Sequence, residues 1–144
     1  MGHKGGFFTG RLFWVYWFPL ITYGLALFVQ SAYPSPQSLP RFPYGDKVLH
    51  FFAYAVMGGL FFRALLVTWP RWRSARIVFY SVLFSTLYGV SDEIHQIFVA
   101  SRTADQMDVL ADFLGGAFGA ICFCVVVGLL GRRDSRGKDQ KSEV

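Results

Sequence analysis

The sequence predicts an all-α fold, a polytopic bundle of four transmembrane helices, and three observations predict it. Of 144 residues, 53% are hydrophobic and only 16% charged, where soluble domains carry about 25% charge. Mean hydropathy is +0.38. The apolar residues are gathered into four blocks, each able to cross a hydrocarbon core of about 30 Å at about 1.5 Å per helical residue. This composition excludes a disordered chain. Two cysteines exclude a disulfide scaffold.

Leu12 to Ser31 carries no charge. Its length, aromatic content and lack of an A-x-A-like cleavage site favour a helix over a signal peptide. Pro19 predicts a kink within it. Pro34, Pro36, Pro40 and Pro43 then mark an irregular connection. Val48 to Trp69 is interrupted only by His50 and Arg63. Asp46, after Pro43 and Gly45, reads as the N-cap of this second helix. Ile77 to Ser91 is uncharged and continues through Asp92, Glu93 and His95 to Val99. Thr103 and Gln106 match a capping box that starts the fourth helix near Ala104, and its block, Phe113 to Gly131, is uncharged. Cys122 and Cys124 read as apolar packing residues. The chain thus divides into a transmembrane domain, 1–131, and a basic tail, 132–144, expected to be disordered.

Eleven of the fourteen Lys and Arg residues lie in the N-terminal segment, around the second connection and in the C-terminal tail. The positive-inside bias therefore places both termini in the cytoplasm. No basic stripe suggests a nucleic-acid partner.

The unusual polar residues gather on the opposite, outer side. Asp46, His50 and Tyr54 recur every four residues along one face of the second helix. Asp92, Glu93, His95 and Gln96 end the third, where the helix dipole disfavours anions. Asp92 lies about 6 Å inside the expected hydrocarbon boundary at about 1.5 Å per residue. An ionised carboxylate there needs a partner, a proton or a wet cavity, and Arg102 is the expected partner. The four residues spread over an arc of about 160° at 100° per residue, so some must face neighbouring helices. Asp105 and Asp108 follow in the first turns of the fourth helix, where the dipole favours negative charge. Asp112 shares a face with Asp108. Each of these residues also has a purely structural role open to it, as cap, dipole partner or interfacial hydrogen-bonding group. Ala111, Gly115 and Gly119 form a small-residue stripe for close helix packing, within the chain or in a homo-oligomer.

Three of these pieces, in order, resemble the VanZ-like family of small bacterial membrane proteins. They are Asp46-Lys47-Val48-Leu49-His50 with Tyr54, then Asp92-Glu93-Ile94-His95-Gln96, then Arg102 with Asp108 and Gly115. Two positions depart from the family pattern: Ser101 where glycine is frequent, and Asp112 where asparagine is frequent. The resemblance implies a multi-pass protein of the bacterial cytoplasmic membrane. The family's namesake is linked to teicoplanin resistance, a property not carried over to this chain.

Three functions remain open on the sequence. In the first, the outer polar residues bind the headgroup of a membrane lipid, a lipid-linked envelope precursor or an amphiphile, with Arg102 on a phosphate or carboxylate. In the second, His50, Asp92, Glu93, His95 and Asp108 serve a membrane enzyme, through a divalent metal or acid–base chemistry. In the third, Asp92 and Asp112 carry protons in a transporter subunit. No H-E-x-x-H, G-x-S-x-G or P-loop motif favours the second.

Overall fold

The computed structural model describes residues 10–33, 44–99 and 102–142, with side chains as far as Gly131. The four prolines of the first connection and Ser101 lie outside the described residues. Helix α1 spans Gly10–Ser31, α2 Gly45–Thr68, α3 Ser74–Gln96 and α4 Gln106–Ser142. All four are long and apolar enough to cross a membrane, α4 through its Gln106–Gly131 portion. The α4 backbone stays helical past Gly131, into the segment expected to be a disordered tail.

The exterior is more apolar than a soluble surface. Leu25, Phe52, Leu87 and Leu130 are each about three-fifths exposed, whereas Ser81, Ser85 and Asp112 are 0% exposed. Such a distribution suits hydrocarbon outside and polar groups satisfied within. The protein is a multi-pass membrane protein.

Local sequence explains how the helices start and bend. Pro19 has no N–H, and its ring crowds the carbonyl four residues back. The preceding turn, Phe13–Trp17, widens to a π-helix, with the Phe18 N–H reaching the Phe13 carbonyl. Two expected caps are corrected. Helix α2 begins at Gly45, and its cap position is held by Tyr44 in the left-handed region at φ 64°, with no side-chain cap bond. Asp46 instead sits in the first turn, where it favours the dipole. Helix α4 begins at Gln106, and Asp105 caps it, accepting from the Met107 N–H at 2.9 Å. The acidic side chain two residues before Met107 displaces the Thr103 capping box because Asp is the stronger cap.

Helices α2 and α4 form the tightest seam. A Cβ on Gly115 would overlap the Phe51 carbonyl, and one on Gly119 would overlap the Ala55 carbonyl. Ala111, Gly115 and Gly119 are all buried. Gly115 and Gly119 therefore let α4 pack closely on α2 within the chain.

The helices alternate in direction. The ends of α1 and α3 and the starts of α2 and α4 therefore share one end of the bundle, tied by Ser31–His95 and Lys47–Asp105 contacts. At the opposite end Phe62, Leu65, Ile77 and Ala120 are buried against Trp17, Trp69 and Trp72. There Trp17 Nε1 donates to Thr68 Oγ1 at 3.0 Å, and Phe61 stacks on Phe84 with centroids 4.1 Å apart.

Candidate functional site

The shared end of α2, α3 and α4 holds the polar residues. Lys47, half-buried on the first turns of α2, is the cation at its centre. Its Nζ donates to Asp105 Oδ2 at 2.6 Å, Asp108 Oδ1 at 3.0 Å and Asp46 Oδ2 at 3.0 Å. The Lys47 ammonium holds the Asp105 carboxyl below the usual aspartate range, helped by the Met107 N–H.

One turn deeper, His50 Nδ1 lies 2.9 Å from Asp112 Oδ1. An ionised carboxylate only accepts, so Nδ1 carries the proton and donates it. Asp112 is 0% exposed, and a Cβ on Gly89 would overlap its Oδ2. Glycine at that point of α3 is what admits the Asp112 carboxylate into the bundle. Tyr54 lies another turn down, its ring 6.1 Å from His50 and nearly parallel to it.

From α3, Gln96 Nε2 donates to Asp92 Oδ2 and Glu93 Oε1, each at 3.3 Å. Glu93 Oε2 accepts from the Asp105 N–H at 2.8 Å, pinning the start of α4 to the end of α3. Three buried polar atoms find no hydrogen-bond partner among the described residues: Tyr54 OH, Asp92 Oδ1 and Asp112 Oδ2. Leaving such atoms unpaired in an apolar setting is costly.

The bundle therefore brings His50, Tyr54, Asp92, Glu93, Gln96, Asp108 and Asp112 to one end, with Asp46 at its exposed edge. Two candidates stand apart. His95 faces α1, stacked on Phe28 with centroids 4.4 Å apart. Its Nδ1 donates to Ser31 Oγ at 3.3 Å, since the Ser31 hydroxyl itself donates to the Phe28 carbonyl. Arg102, expected beside Asp92, instead donates Nε and a terminal nitrogen to the Tyr33 carbonyl at 3.1 and 2.9 Å. That bond straps the α3–α4 connection to the end of α1. Lys47 and Asp105 complete the cluster without having been candidates. The i, i+3 spacing of Lys47 and His50 was the available signal, since it puts both on one helical face.

Geometry of this kind can hold a cation. His50, Glu93 and Asp108 each offer a donor atom within 4.8 Å of the others, and so do Asp46, Asp105 and Asp108. The second group is already occupied by the Lys47 ammonium.

The helices and the polar motifs on them define a class, small multi-pass membrane proteins with an acidic polar end. Residues 7–127 match the family model described as VanZ/LLP1. The match covers well over half of the chain, and the protein belongs to that family. Neither the curated proteins nor the solved structures gave a match.

Proposed function

We propose that this protein binds the headgroup of a cell-envelope lipid or amphiphile in the bacterial cytoplasmic membrane. The observation that carries the reading is a set of buried polar atoms, Tyr54 OH, Asp92 Oδ1 and Asp112 Oδ2, that lack partners among the described residues at one end of an apolar bundle. Acyl chains would lie along the exposed Leu and Phe side chains. The headgroup would reach the polar end laterally or from the aqueous face.

The chemistry of the cluster bears on what the headgroup brings. Asp46, Asp92, Glu93, Asp105, Asp108 and Asp112 outnumber Lys47 and His50. A bare phosphate would be repelled, and Arg102 is engaged at the Tyr33 carbonyl. The headgroup must therefore supply donors, hydroxyl or ammonium, or meet the carboxylates through a cation.

Native mass spectrometry from mild detergent tests this. Wild-type protein is expected to retain an amphiphile that Asp92→Asn and Tyr54→Phe lose and Arg102→Ala keeps. Wild type without amphiphile, or equal retention by all variants, would overturn the reading. A second reading, an enzyme acting on an envelope lipid, is favoured by one observation. The Asp112–His50 hydrogen bond orients an imidazole beside two carboxylates, as acid–base chemistry requires. Lipid turnover abolished by Glu93→Gln would favour it over binding alone.

A further inference from the structure

We propose that His50, Glu93 and Asp108 bind one divalent metal ion of the Zn2+ or Mn2+ class. Their donor atoms lie within 4.8 Å of one another. They come from three different helices, α2, α3 and α4, so the packing of the bundle itself sets their spacing.

The surroundings separate this group from an ordinary acidic cluster. Buried Asp112 accepts from His50 Nδ1, which leaves the lone pair of the neutral ring on Nε2, the form that ligates metals. A carboxylate behind a ligating histidine fixes its tautomer and raises its basicity. The other two ligands are held as well. Glu93 accepts from Gln96 Nε2 and the Asp105 N–H, and Asp108 Oδ1 accepts from Lys47 Nζ. Each of the three donors thus has its own orienting partner.

A second observation points to a bound cation. Asp112 is 0% exposed and Asp92 6% exposed, and each keeps one buried oxygen without a partner among the described residues. Two such carboxylates beneath the His50–Glu93–Asp108 group add negative potential that a divalent ion would offset. An imidazole combined with two carboxylates suits Zn2+ or Mn2+ better than Ca2+ or Mg2+, which prefer all-oxygen sets. Three protein donors leave coordination positions open. An oxygen of the headgroup would fill one of them, and that last clause alone rests on the binding function proposed above.

The test uses the full chain in detergent without added envelope lipid, stripped by chelator and titrated calorimetrically with Zn2+ or Mn2+ alone. One equivalent per chain is expected. Glu93→Gln, Asp108→Asn and Asp112→Asn should each weaken it at least about tenfold, and His95→Asn, on the face of α3 turned to Phe28, should leave it unchanged. Pulsed EPR of wild type with Mn2+ should show coupling to one imidazole nitrogen, which requires no variant to fold. Absence of a bound equivalent, absence of the nitrogen coupling, or a loss in His95→Asn equal to that in Glu93→Gln would overturn the site. An amphiphile missing from the mass spectra would leave the metal site standing. A metal-free protein that still retains the amphiphile would leave the headgroup reading standing.

Discussion

At one end of the bundle Phe62, Leu65 and Ile77 are buried among tryptophans; at the other, Asp92, Glu93 and Asp112 are buried among carboxylates and an imidazole. The first end is satisfied mainly by shape: its buried side chains are apolar, the Trp17 Nε1–H closes on Thr68 Oγ1, and the Thr68 hydroxyl closes on the Ala64 carbonyl. The second depends on partners drawn from three helices, and it still leaves three polar atoms without a partner among the described residues. Apolar packing tolerates volume-conserving swaps at modest cost, though not truncation. Buried charge does not, because removing one partner strands the other. The difference marks the first end as scaffold and the second as the candidate site.

The largest effect should come from the scaffold. Phe62→Ala, at a 1% exposed position, should lower stability by about 4 kcal/mol in reversible unfolding from detergent. The protein that remains folded should still bind one equivalent of Zn2+. Lost metal binding would show that the two ends are coupled. His50→Ala should cost about 3 kcal/mol, because it leaves the Asp112 carboxylate buried without a partner. The double variant with Asp112→Ala should recover part of that loss, and a double-mutant cycle measures how much. Strict additivity would mean that the pair is not coupled.

Smaller effects sharpen the boundary of the site. Arg102→Ala should cost less than about 1 kcal/mol, as expected of an exposed polar contact, and should leave metal stoichiometry unchanged. Lys47→Met should have the greater effect on both, and a reversal of that order would restore Arg102 to the site. The smallest change is one of pH dependence. The Asp105 carboxyl is lowered from its ordinary value of 3.8, chiefly by Lys47. Its contribution is therefore complete above that value and is lost as pH falls below it toward the lowered one. Asp105→Asn should flatten the acid limb of thermal stability below about pH 4, read by melting curves across pH.

Much of the site was legible at the level of helix ends. Counting along each apolar block placed Asp92, Glu93 and Gln96 at the same depth as His50, Asp108 and Asp112. Helical periodicity also required some of the α3 group to face elsewhere, and His95 does so, packed on Phe28. The pairing of charges was not legible. Arg102 was the natural partner for Asp92 by proximity in sequence, yet it binds a backbone carbonyl of α1. Lys47 takes the central position because α2 packs closely on α4 through Gly115 and Gly119.

The sequence by itself determined that this chain forms four membrane-crossing helices with carboxylates and imidazoles concentrated at one end. Transfer into hydrocarbon is close to a sum over each apolar run, so it can be read locally. Only the tertiary structure decided that His50, Glu93 and Asp108 meet, that Asp112 stands behind His50, and that Arg102 and His95 turn away. Those outcomes depend on the rotation and neighbours of each helix. Both are set by where small residues such as Gly89, Gly115 and Gly119 let backbones and carboxylates approach, and no single segment encodes that.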